Sequence, residues 1–351
     1  MPTIFIKDDL RAAVEAASGG RQTVLYTAKG QPTYMNVVPK FNLGDVANAA
    51  DTLGTGVHPA FIVNGIEKSE FFYGSYQGTI KNGELLSLPN VNPRRSANFD
   101  TFSNAARANG AGWHISTNAE WAALLLWCHK NNFTPRGSDN YGRSIDATYE
   151  SGRRVDGLAP GVTSGDPAIL TGSGPASWRH DNTSGGISDL VGNVWEWQGG
   201  MRISEGEIQV IPNNDAVTAD LSETSIAWKA IDGSNGALVA PGHANAVKYA
   251  LSGTAAYTLV RASGQSFDGI TNPSATPVSA AALQVIKRLG LFPDASRADG
   301  DAIYLDLTGE RLPIRGGSWS IGAIAGVRAL SLLYARSSVA SGIGARPAFV
   351  L

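Results

Sequence analysis

The chain has 351 residues, enough to bury one large core or two ordinary ones, and its formal net charge of -2 gives no pull toward nucleic acid or an anionic membrane. With 43% hydrophobic and 17% charged residues it has the composition of a folded protein, slightly poor in charge. A single cysteine excludes internal disulfides and Cys-based zinc clusters, while 41 glycines and 8 tryptophans point to many tight turns around a core pinned by large anchors.

The opening "MPTIFIKDDL" brings Asp8 and Asp9 before an apolar run can develop, so no secretory signal peptide is expected. "TIFIK" reads as a strand, and "DDLRAAVEAASGG" as a helix with Asp8 as N-cap and Gly19 as its stop. "QTVLYTAKGQPTYMNVV" alternates on both sides of "KGQP" and reads as a hairpin. The texture changes after "LGTGVHP", which places a boundary near Gly56. Residues 1–56 would form a small β-α-β-β unit that packs on the main domain, oligomerises or attaches to an assembly.

Residues 57–351 then read as one domain. "AFIVNGIEKSEFFYGSYQGTI" is strand-rich, with a turn at Asn64-Gly65. "FDTFSNAARANG" is a helix ended by Asn109-Gly110. The next helix opens with a capping box, Thr117-x-x-Glu120, in which each side chain satisfies the other's free backbone N–H. It is apolar on nearly every face from Trp121 to Cys128, so it belongs in the centre, and this longest apolar run is too short to span a bilayer. From Asn132 to Ser188 the chain reads as ordered loop. Residues 200–312 read as a long insertion, with a strand pair in "KYALSGTAAYTLV" and an amphipathic helix in "SAAALQVIKRLGL".

"DLVGNVWEW", Asp189–Trp197, is the most specific local signal. Trp195 and Trp197 would share one side of a strand with Glu196 opposite. Two readings of Glu196 stand here. It makes a structural hydrogen bond, or it joins Asp189 and the carbonyls turned in at Gly192 as hard oxygen ligands, which suit calcium.

Three ordered motifs, "HISTNAEW", "DLVGNVWEW" and "RGGSW…IGAR", resemble the formylglycine-generating enzyme (sulfatase-modifying factor) family from about His58 to the C-terminus. The resemblance implies an α+β, C-type-lectin-like fold. It also implies a structural calcium ion held by the side chains of Asp189 and Glu196 and the carbonyls of Gly192 and Val194. Activity is not implied, because Ile321 and Gly326 stand where the catalytic members have two cysteines. Cys128, in the apolar helix, reads as a structural thiol. His58, His114, His129, His180 and His243 form no cluster of the kind that sulfoxide synthases of this fold need, and His129 reads as a satisfied surface or boundary residue.

The tail, 315–351, is similar more narrowly to the variable proteins of diversity-generating retroelements, many of them encoded by phages and prophages. In that pattern Arg315, Gly316, Gly317, Trp319, Gly322, Ala335, Arg336 and Gly344 belong to the retained frame. The rewritten positions would be Ser320, Ile321, Ile324, Ser331, Leu333, Tyr334, Ser338, Ala340 and Gly342, all reachable from an Asn codon by changing its adenines. Ser338, Ala340 and Gly342 alternate with Val339, Ser341 and Ile343, so a strand there would separate variable face from frame.

The expected function is therefore non-enzymatic ligand binding at nine accessible positions gathered in one patch. The leading form is a phage receptor-binding or tail-tip protein in the virion tail. Its partners would be a bacterial surface protein or glycan, other virion proteins and copies of itself, whose number would add avidity. The alternatives are a surface-displayed bacterial variable protein, which needs an export route, and a formylglycine-type oxidoreductase, which needs the missing cysteines.

Overall fold

A computed structural model describes residues 8–48, 52–261, 264–294 and 299–351, so the "TIFIK" strand lies outside the described residues. The first helix, Asp9–Ser18, begins where Asp8 accepts the Arg11 N–H and stops at Gly19 in the left-handed region, φ 63°. The hairpin follows as strands Gln22–Tyr26 and Pro32–Pro39, paired Tyr26 to Pro32.

That hairpin does not stand apart. It joins an antiparallel sheet of the order Gln22–Tyr26, Pro32–Pro39, Glu70–Gly74, Pro347–Phe349, Trp113–Ile115. Met35 to Pro39 pair with Gly74 to Glu70, and Ala348 pairs with both Tyr73 and His114. The boundary near Gly56 is thus a loop within one structural body: the N-terminal strands share a sheet with the last strand of the chain. Edge pairing supplies the stabilisation that so short a unit lacks alone.

The second sheet carries the motifs. Strand Trp195–Trp197 runs antiparallel to Glu310–Arg315, with Ile314 opposite Trp197, and parallel to Ile343–Ala345, with Ile343 opposite Trp195. Glu310–Arg315 in turn pairs with Leu330–Tyr334, which lies parallel to Ile303–Leu305. The insertion leaves and returns through neighbouring strands, Met201–Ser204 beside Glu310–Arg315. It does not form a separate lobe, since its Ile208, Tyr249, Leu259 and Ile286 share one core with Trp121, Leu124 and Leu330. The "KYALSGTAAYTLV" strands do pair, and they run parallel.

Helix Asn118–Lys130 occupies the centre. Glu120 N–H donates to Thr117 Oγ1 at 3.2 Å and Thr117 N–H to Glu120 Oε2 at 3.0 Å, closing the capping box. All of its side chains except Trp127 and Lys130 are buried. His129 is no boundary residue. It is buried, 2.9 Å from Asp299 and 3.1 Å from the Arg328 guanidinium. Burial opposes its protonation, but Asp294 and Asp299 outweigh that and raise its pKa. No helix among the described residues is long and apolar enough to cross a membrane.

Candidate functional site

The Trp-Glu-Trp strand has the expected two faces. Trp195 and Trp197 enter a cluster with Phe99, Ile314 and Ile343, and Glu196 points to the other side. There the fully buried Arg346 grips it, Nε to Oε2 at 2.9 Å and Nη2 to Oε1 at 2.6 Å. The same guanidinium donates to the carbonyls of Gly74 and Ser188, both at 2.9 Å. Gln77 Nε2 donates to the carbonyls of Val194 at 2.9 Å and Asp189 at 3.1 Å, and to Glu196 Oε1 at 3.1 Å.

These contacts do not fit the expected calcium ion. Glu196 and the Val194 carbonyl already face N–H donors, and a guanidinium on both carboxylate oxygens supplies the charge that a cation would bring. Asp189 has one carboxylate oxygen taken by the Gly172 N–H at 2.7 Å. Gly192 makes its turn at φ 73° with its N–H on the Gly316 carbonyl, so the turn serves the frame. The structural reading of Glu196 holds: it is half of a buried ion pair closed by an arginine 150 residues away.

The tail's frame combines arginines, Arg315 and Arg328 buried and Arg336 half-buried, with glycines most of which leave no space for a side chain; at Gly322 the left-handed φ of 69° favours glycine, but a Cβ would meet only Ile145, at 3.4 Å. Arg315 is buried and bonds Asn118 Oδ1 at 2.8 Å and the Gly290 carbonyl at 2.9 Å, with burial lowering its pKa to about 10. Arg328 meets Asp268 at 2.7 Å and Asp294 at 3.1 Å. Arg336 meets Glu310 at 2.9 Å. Gly316 and Gly317 have φ of 91° and 93°, where glycine alone is unstrained. A Cβ would stand 2.4 Å from the Leu190 carbonyl oxygen at Gly316, 2.1 Å from Asp301 at Gly326 and 2.8 Å from the Arg94 carbonyl oxygen at Gly344.

Gly342, one of the nine proposed variable positions, is different. A Cβ there meets nothing closer than Ser318 at 3.7 Å and Trp319 at 3.9 Å, and its φ lies outside the left-handed region. The structure therefore accepts a side chain at this position and refuses one at Gly316, Gly326 and Gly344.

The other positions sort unevenly. Ile321, Tyr334 and Ala340 are half-buried and pack against the cluster around Trp195 and Trp197. Tyr334 stands edge-on to Trp197 with ring centroids 6.4 Å apart. Ser320 and Leu333 are exposed, and Ile324 and Ser338 are half-buried. Ser331 departs from the expectation of access. It is buried opposite Tyr304 and Ile314, and its Oγ has no hydrogen-bond partner among the described residues.

The alternation expected in "SSVASGIG" also fails. Only Ile343–Ala345 is strand, and Val339 and Ser341, expected in the frame, are exposed. Turn bonds explain this: Ser338 N–H reaches the Ala335 carbonyl and Ile343 N–H the Ala340 carbonyl, while the carbonyls of Ala340 and Gly342 accept from Ser96 and Trp195. Sequence reasoning missed Tyr304, which packs edge-on against Trp195 from a parallel strand whose place in the sheet no local pattern announces. It missed Gln77 and Arg346 for the same reason, although an Arg flanked by Gly344, Ala345 and Pro347 has the apolar setting of a buried tether.

No protein-family model and no curated protein matches the chain. Among solved structures the chain is similar to Treponema denticola variable protein 1, at 13% identity, covering 93% of this chain and 98% of that one, with a TM-score of 0.30. At that overlap the likeness neither fixes the fold family nor transfers a function.

Proposed function

We propose that the protein is a non-enzymatic ligand-binding protein of C-type-lectin-like fold whose C-terminal face is rewritten by a retroelement. In this reading it serves as a phage receptor-binding or tail-tip protein that meets a bacterial surface protein or glycan. The observation that carries it is the contrast between Gly342, where a side chain fits, and Gly316, Gly326 and Gly344, where backbone or a buried carboxylate forbids one. A diversified surface needs that combination of tolerant positions on an intolerant frame. Three further proposed positions, Ile321, Tyr334 and Ala340, converge on one cluster. Ser331, being buried, would act through packing rather than contact.

The test uses labelled protein on a panel of bacterial cells and their extracted surface glycans and proteins. Tyr334 is the expected anchor, since an aromatic ring with a polar tip gives large contact area at low conformational cost. Tyr334→Ala should weaken binding about tenfold or more, consistent with loss of a hot-spot residue. Its cost in stability should be about 1 kcal/mol because it also loses the Trp197 contact. Leu333→Ala, at a residue 40% exposed, should shift stability by less than about 0.5 kcal/mol while still reducing binding. If both variants bind like the parent, the face is not the binding site.

A further inference from the structure

A polar groove of about 620 Å³ lies beside this face, between the Asn92–Ser96 segment, Asp166 and Trp319, with Ser341 on its edge. Trp319 is held by its backbone, N–H to the Asn193 carbonyl at 3.1 Å and carbonyl to the Tyr141 N–H at 2.7 Å, and its indole is half exposed. Arg95 lies over that ring, 5.6 Å from the centroid. Asp166 fixes it from both oxygens at 2.7 Å and Asn92 Oδ1 at 3.1 Å. Arg95 and Asp166 thus cancel in charge. Arg94, next in the chain, is exposed, and its guanidinium has no hydrogen-bond or ion-pair partner among the described residues. The groove is therefore left with one uncompensated positive fork, the part of the Trp319 ring that Arg95 leaves uncovered, and fixed polar side chains.

We infer that this groove binds an anionic glycan, with Arg94 as the fork for a sugar-borne carboxylate or phosphate. Trp319 supplies a flat surface for a sugar ring, and Asn92 and Asp166 face its hydroxyls. Charge complementarity selects an anion, and a planar guanidinium matches two acidic oxygens at once. An apolar protein segment would find too little hydrophobic surface here. The variable Gly342 borders the same Trp319 ring, so a side chain introduced there would narrow the groove without rebuilding it. The inference rests on the reading that this side of the molecule meets a ligand.

The experiment titrates the full chain with an oligogalacturonate, a poly(glycerol phosphate), a neutral galactan and poly-glutamate. One of the two anionic glycans should bind, the carboxylate and phosphate probes telling the sources apart, and the galactan should not. Arg94→Ala should weaken that binding about five- to tenfold, the loss of a charge-assisted contact. Arg94→Lys should recover only part of it, because the fork is gone. Both variants should melt with the parent, since the side chain is exposed. Failure of both anionic glycans to bind, indifference to Arg94→Ala, or equal binding of poly-glutamate overturns the inference. Loss of cell-surface binding in Tyr334→Ala alongside any of these results would sink the groove and leave the variable face standing.

Discussion

Arg346→Ala is expected to destabilise the protein by about 3–5 kcal/mol, as removal of one partner from a buried ion pair does. The side chain is fully buried, and its loss leaves Glu196, itself 1% exposed, with only Gln77 as a side-chain donor among the described residues. It also strips donors from the carbonyls of Gly74 and Ser188 and a cation from the face of Tyr73. Those groups lie in three different segments, so the loss should appear as one cooperative shift of the whole melting curve. Changing both partners, Arg346→Met with Glu196→Gln, should recover a substantial part, because no buried charge is then left alone. Chemical denaturation of the single and double variants checks this. A single variant that melts with the parent would mean that Glu196 has another partner, and the cation site would have to be reconsidered.

Gly316→Ala should cost about 2–5 kcal/mol, the sum of a left-handed backbone penalty and an overpacking penalty. Both arise at one atom: φ is 91°, and the new methyl would stand 2.4 Å from the Leu190 carbonyl oxygen. That oxygen is part of the main chain between Asp189 and Gly192, so relief requires moving the motif that carries the Trp-Glu-Trp strand. Gly342→Ala is the matched control. It adds the same methyl 26 positions later into ordinary van der Waals contact with Ser318 and Trp319, and it should fall within about 0.5 kcal/mol of the parent. Equal effects at the two positions would remove the distinction between frame and variable glycine.

Much of this was legible because it is local. The Asp8 and Thr117 caps, the Asn64-Gly65 turn with φ of 50° and 75°, and the opposite faces of Trp195 and Glu196 all depend on residues within a few positions of each other. What failed was non-local. The N-terminal hairpin completes its sheet with strands Glu70–Gly74 and Pro347–Phe349, and nothing within residues 22–39 announces either partner. The calcium expectation was built from residues 189–196 alone and could not include the arginine that reaches Glu196 from the far end of the chain. The alternation at 338–343 failed because period two signals a strand only if neighbouring strands take up its hydrogen bonds. Here Ala335 and Ala340 take them up in turns instead. Within the tail, several frame residues were readable as Gly and Arg, but the surroundings of the remaining positions depend on partners outside it, Tyr304 opposite Ser331 and Trp197 against Tyr334.

The most direct measurement randomises Ser320, Ile321, Ile324, Leu333, Tyr334, Ser338, Ala340 and Gly342 together, leaving Ser331 and the frame untouched, and scores each clone for folding and for binding. Most clones should express as folded monodisperse protein with melting temperatures near the parent, and selection against new bacterial surface molecules should yield binders whose differences lie only at these positions. A library in which most members unfold, or a folded library from which no new specificity can be selected, would contradict a tolerant binding face on a fixed frame.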